Sequence, residues 1–204
     1  VFTYSVSFVT LFSIVGDLGI GNAHVKRYNE NLSPSECNGA LLFLKLASNF
    51  LMVFVFLSTL FILKMFFGFK FESKLAEDIT YLVLLITFLN NIRLIFSNAT
   101  TATTEVSKAT IPFTIGRFFQ MLIKVSLIIS GFGLFYIVAV EALILIFVII
   151  SYFFIIKYPV SYPSKEIIKS YLSFALPTLL AGFIVVYNMN VDKIIIQSFL
   201  GRGV

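Results

Sequence analysis

Residues 41–67 read LLFLKLASNFLMVFVFLSTLFILKMFF and residues 140–156 read VEALILIFVIISYFFII. Both are continuous apolar runs without alternation. A barrel strand would alternate apolar and polar positions over about ten residues. A helical run of about twenty apolar residues instead matches the roughly 30 Å hydrocarbon core of a bilayer. Only helices and closed barrels satisfy their own backbone groups in lipid, so these runs decide for helices. Similar stretches fill most of the 204 residues, with 59% hydrophobic residues, 12% charged ones and a mean hydropathy of +0.99. A water-soluble domain has too little interior to bury that much apolar surface. The sequence predicts an all-α, polytopic transmembrane bundle of about six membrane helices, in which the rare polar residues are the informative ones.

Working outward, segment a is expected over 1–21 and is followed by a polar loop, HVKRYNENLSPSE. Segment b covers 38–67, c 79–100 with the polar tail TTATTEVSKAT, and d 112–130, starting at Pro112. Gly131 and Gly133 mark a tight turn into segment e at 134–156. The hydrophilic linker KYPVSYPSKEIIK carries Pro159 and Pro163 and divides residues 1–157 from 158–204, where segment f runs over 171–200. The chain opens on Val1 inside one apolar run and ends at Val204 just after another, which reads as a fragment of a longer protein. If segment a exits into the cytoplasm, inside loops hold Lys26, Arg27, Lys108, Lys157, Lys165 and Lys169. Outside loops then hold Lys64, Lys70, Lys74 and Arg202. The excess of basic residues inside favours that orientation.

The net charge of +5 is modest and scattered. No basic block with interleaved aromatics suggests a nucleic-acid surface. The single cysteine, Cys37, permits neither an internal disulfide nor a thiolate metal site and reads as a small spacer. No metal motif and no cofactor signature is present, and no cluster of acidic or histidine residues in a large aqueous loop suggests an enzyme.

A charge at mid-helix costs roughly 2.5–3.5 kcal/mol on insertion scales, so it faces protein or water. In segment c, Asn90, Arg93, Ser97, Thr101 and Thr104 recur every three or four residues and share one stripe. That stripe is either a helix–helix seam joined by side-chain hydrogen bonds or the wall of a wet cavity, and an unpaired guanidinium favours the cavity. Segment d repeats the device with Arg117, Gln120 and Lys124. Arg117 either faces the cavity or snorkels to the interface, whereas Lys124 lies too deep to escape. Such cations would attract an anionic group, Arg through bidentate hydrogen bonds and Lys as a point charge. Among the acids, Asp17 shares a face with Thr10 and Ser13. Asp192 is one turn from Asn188 and beside Lys193. Glu141 is alone in helix e, where it either pairs with Lys124 or Arg117 or titrates. These three are expected to serve coupling or structure. His24 reads as a solvated loop residue, and Pro177 predicts a kink near Ser173, with Gly182 close by.

The stretch GDLGIGNAHVKRYNE, Gly16 to Glu30, is similar to the signature that ends the second membrane helix of Wzx-type polysaccharide-biosynthesis flippases. These belong to the multidrug/oligosaccharidyl-lipid/polysaccharide (MOP) exporter superfamily. FALPTLLAGFIVVYNMNVDKIIIQSFLG, residues 174–201, resembles the helix that opens their second half. KATIPFTIGRFFQMLIKVSLII, residues 108–129, resembles their fourth-to-fifth helix passage, with Arg117 at the usual basic position. The resemblance implies a partial MOP-exporter fold: segments a to e as the second to sixth helices of one lobe, and f as the first helix of another. It implies alternating access around a central cavity that moves a lipid-linked oligosaccharide, a polyprenyl-diphosphate sugar, across the cytoplasmic membrane. Arg93, Arg117 and Lys124 would then hold diphosphate or acidic sugar, while Asn90, Ser97 and Thr101 contact sugar hydroxyls. Membrane lipids and polysaccharide-assembly proteins are the expected partners. A cation-coupled exporter of drugs or small molecules is the alternative within the superfamily. A membrane-embedded glycosyltransferase is disfavoured by the short loops.

Overall fold

The computed structural model describes residues 2–30, 33–175, 177–179 and 184. Among them the chain is helical, without a strand. The helices are α1 (Phe2–Asp17), α2 (Ile20–Tyr28), α3 (Pro34–Phe66), α4 (Lys74–Ala102), α5 (Ser107–Ile129) and α6 (Leu134–Ile155), followed by helical backbone over 165–175. Five stretches are long and apolar enough to cross a membrane: Phe2–Tyr28, Pro34–Phe66, Lys74–Ala102, Ser107–Ile129 and Leu134–Ile155. They correspond to segments a to e. Most of segment f, including Gly182, Asn188, Asp192 and Lys193, lies outside the described residues; Pro177 is described and exposed.

Local chemistry sets the helix ends. Ser73 caps α4, its hydroxyl accepting from the Ala76 N–H at 3.1 Å, which satisfies one of the orphan donors of the first turn. Pro34 occupies the first turn of α3, where its missing N–H costs nothing. Gly131, at φ +76°, makes the turn between α5 and α6 that Gly131 and Gly133 announced. Leu18 (φ 48°) and Gly19 (φ 68°) are both left-handed and break segment a into α1 and α2. The expected polar loop is therefore largely a helix. Its buried residues Ile20, Ala23 and His24 share one face, at spacings of three and four. His24 is fully buried rather than solvated. Its Nδ1 lies 2.9 Å from the Tyr171 hydroxyl, which in turn donates to the Cys37 carbonyl at 3.2 Å; Nδ1 therefore carries the proton. Helix α5 begins at Ser107, ahead of the expected Pro112, which lies inside the helix and forfeits the bond an N–H there would make to the Lys108 carbonyl.

Helix α4 is the centre of the bundle. It packs against α1, α2 and α3 on one side and against α5 and α6 on the other, while α5 and α6 pair as a hairpin. Between α1, α3 and α4 lies an apolar core containing Phe8, Val9, Met52, Phe56, Ile79 and Val83. Side-chain hydrogen bonds join the same helices: Asn91 donates to Asn49 Oδ1 (3.0 Å), Asn49 donates to the Phe88 carbonyl (3.0 Å), and Ser48 donates to the Gly16 carbonyl (2.9 Å). These are the hydrogen-bonded seams expected of helices in lipid. The outer surface is the inverse of a soluble protein's: Phe147, Phe153 and Phe154 on α6 are exposed, Phe154 by 86%. A hydrocarbon solvent makes such a surface favourable.

The segment between α6 and the 165–175 helix is stitched to the start of α3. Asn38 donates to the Pro159 carbonyl (3.0 Å), Ser161 N–H donates to the Ser35 carbonyl (3.0 Å), and Tyr158 donates to the Asn38 carbonyl (3.0 Å). Burial pushes the Tyr158 phenol well above its ordinary pKa, so it remains a neutral donor. Gly39 lies under this strap, and a Cβ there would run into the Ser161 carbonyl.

Candidate functional site

A polar cleft of about 370 Å³ opens beside α4. Its lining includes Thr10, Ser13 and Asp17 of α1, Thr87, Asn90 and Asn91 of α4, Arg117 of α5 and Glu141 of α6. Helix α4 forms its floor. The α1 side and the α5–α6 hairpin form its walls, because α1 packs on α3 and α4 and leaves the hairpin to α4.

The charges form two groups. In the first, Glu141 bridges two cations of α5. Its Oε1 accepts from Arg117 Nη1 at 2.9 Å and its Oε2 from Lys124 Nζ at 3.4 Å. The tight turn at Gly131 brings the second half of α5 beside the first half of α6 and makes this pairing possible. Arg117 Nη1 also donates to Gln120 Oε1 at 2.8 Å, and Gln120 is buried. Arg93 joins through Phe113, whose ring lies 4.2 Å from the Arg93 guanidinium and 5.1 Å from that of Arg117. Cation–π attraction of this kind offsets part of the desolvation of both groups. Arg93 Nε donates to Asn90 Oδ1 at 2.9 Å. No carboxylate among the described residues pairs with Arg93. Three cations thus stand around one carboxylate.

The second group is Asp17 with Lys45 of α3, joined by an ion pair. The Lys45 side chain is completely buried, whereas 56% of the Asp17 side chain is exposed, on the cleft side. The pair is neutral and leaves the excess positive charge of the first group uncompensated. Lys45 was not singled out in the sequence, because one lysine inside a 27-residue apolar run is easily passed over. The rule that intramembrane ionisable residues mark function is the signal that would have found it. Phe113 was missed as well; its position four residues before Arg117 puts the two on one face of α5.

The sequence-derived candidates divide accordingly. Asp17, Asn90, Arg117 and Glu141 line the cleft itself, and Arg93, Gln120 and Lys124 touch those residues from just behind. Ser97 and Thr101 continue the α4 stripe beyond Arg93. The Thr101 hydroxyl donates to the Ser97 carbonyl at 2.8 Å, and neither residue lines the cleft. Thr104 falls in the turn after α4, with φ 61°. Asp192 lies outside the described residues. No group of His, Cys, Asp and Glu able to hold a metal occurs among the described residues.

Fold and site together define a multi-pass α-helical membrane protein with a polar cleft inside its bundle and a cluster of three cations around Glu141 at its wall. Comparison of the chain with protein-family models, with curated proteins and with solved structures finds no match to any of them.

Proposed function

We propose that the protein is a transporter, not an enzyme, and that it moves a lipid-linked oligosaccharide across the cytoplasmic membrane for surface polysaccharide synthesis. The observation that carries this reading is the cluster of Arg93, Arg117 and Lys124 around the one carboxylate of Glu141, at the wall of a polar cleft between apolar helices. A guanidinium placed there without a carboxylate is expensive, so its retention calls for an anionic ligand that is present only part of the time. A diphosphate meets that requirement: Arg93 and Arg117 offer planar donor forks, and Asn90, Thr87 and Ser13 supply groups for sugar hydroxyls. The polyprenyl tail stays in lipid beside the bundle. Within this reading α1 to α6 belong to the first lobe of a MOP-type exporter, the 165–175 helix opens the second, and polysaccharide-assembly proteins are its natural partners. A cation-coupled drug exporter would need free intramembrane acids, and here Asp17 and Glu141 are both engaged by cations.

The test is flipping of a fluorescent polyprenyl-diphosphate oligosaccharide in proteoliposomes. Arg93→Ala is expected to slow transfer by at least about tenfold, the weight of one hydrogen bond to a charged group, while membrane insertion is unchanged. Wild-type transfer rates in that variant would remove Arg93 from the substrate path.

A further inference from the structure

Glu141 sits where the substrate's anion would sit. Each of its carboxylate oxygens faces a different cation, Arg117 Nη1 at 2.9 Å and Lys124 Nζ at 3.4 Å. This is the bridging arrangement that two oxygens of a phosphate would adopt between the same donors. We propose that Glu141 is a built-in, displaceable surrogate for the substrate's diphosphate: it neutralises the site when empty, yields its cations when the ligand enters and reclaims them to drive release. The inference rests on the reading that the cationic group receives a diphosphate, and it adds how that group is regulated.

Three features separate a displaceable surrogate from a fixed structural pair. Glu141 comes from α6, whereas both of its cations are on α5, so it withdraws without disturbing their helix. It lines the cleft and is about one-fifth exposed, with open space into which to rotate. The arginines also have neutral holders that persist when the carboxylate leaves. Gln120 accepts from Arg117, Asn90 accepts from Arg93, and the Phe113 ring lies against both guanidinium groups. The donors therefore remain aimed while the anion between them is exchanged.

Titration of inorganic pyrophosphate into nanodisc-reconstituted protein at fixed ionic strength tests the proposal. Glu141→Gln removes the internal competitor and keeps its shape, so pyrophosphate is expected to bind on the order of tenfold more tightly than to wild type. Glu141→Asp shortens the carboxylate but keeps its charge; it is expected to give a smaller gain of the same sign. The tight-binding Glu141→Gln variant is expected to flip lipid-linked sugar more slowly than wild type, because release now lacks the returning carboxylate. Unchanged or weaker pyrophosphate binding in Glu141→Gln, with lowered thermal stability, would show a purely structural ion pair and overturn the proposal. Should Glu141→Gln fail to assemble, Glu141→Asp decides by the same sign. A gain in pyrophosphate affinity without any lipid-linked sugar transfer by wild type would keep the surrogate and remove the flippase reading. Transfer by wild type without that gain would do the reverse.

Discussion

Asp17→Asn is expected to destabilise the protein by about 3 kcal/mol, while Lys45→Met costs far less. The asymmetry follows from where each partner sits. The Lys45 side chain is wholly buried between helices, and the Asp17 side chain is 56% exposed on the cleft. Removing Asp17 leaves an uncompensated ammonium in an apolar interior. That costs roughly 3–5 kcal/mol for a fully buried pair, and the lower end applies because water in the cleft reaches one side. Removing Lys45 leaves a carboxylate that water can solvate, and Met fills the vacated space. Asp17→Asn combined with Lys45→Met is accordingly expected to recover most of the loss, as when a buried pair is replaced by apolar packing. The fully buried Cys37 supplies the readout: a thiol-reactive fluorophore reports its exposure as the protein unfolds in detergent. A 3 kcal/mol loss in a chain of this size corresponds to a midpoint lower by on the order of 6–12 °C. Equal midpoints for the two single variants would contradict the described geometry.

Arg117 is the residue whose loss should weaken transport most. It links Gln120, Glu141 and the Phe113 ring, lies near the middle of α5 and lines the cleft. Arg117→Ala removes a substrate ligand and also frees Glu141, which then binds Lys124 alone and presents unbalanced negative charge to an incoming diphosphate. Two adverse effects of that kind, each about tenfold, predict a fall in flipping of roughly a hundredfold. Arg117→Lys keeps the charge but loses the planar fork and is expected to fall between. A transport assay that ranked Arg117→Lys with Arg117→Ala would make the fork, not the charge, decisive; one that left Arg117→Ala fully active would remove the cluster from the mechanism.

The five spans of segments a to e were legible because nothing competes with a twenty-residue apolar run. The α5–α6 turn was legible because Gly131 needs the left-handed conformation that it adopts. Helix α2 was not, because AHVKRYNE carries the polar composition of a loop. What makes it a helix is tertiary: one narrow face of Ile20, Ala23 and His24 packs under α3, α4 and the 165–175 helix. His24 looked solvated for the same reason, since its partner Tyr171 lies 147 residues away. At the site, residue type identified Arg93, Arg117, Lys124 and Glu141, because charge in an apolar helix is conspicuous. Sequence could not say which cation Glu141 would choose, and it takes two. The Asn90 stripe was right about periodicity, yet only Asn90, at its start, lines the cleft, which does not extend along α4 as far as Ser97 and Thr101. Asn49, which resembles Asn90 in sequence, is instead buried between α3 and α4, bonded to Asn91 and to the Phe88 carbonyl; nothing short of helix packing distinguishes these two uses of asparagine.

The account as a whole requires that water reach the charges around α4 while hydrocarbon bathes the outer helix faces. Single cysteines placed in a Cys37→Ala background and challenged in intact membranes with a charged, membrane-impermeant maleimide measure this directly. Thr87→Cys and Asn90→Cys, on the cleft, are expected to react and to be protected by added polyprenyl-diphosphate sugar, whereas Leu143→Cys and Phe147→Cys, on the outer face of α6, are expected to stay unlabelled. Protection of both cleft positions to the level of the two outer ones would mean a sealed, dry bundle, and a transport path through it would be untenable.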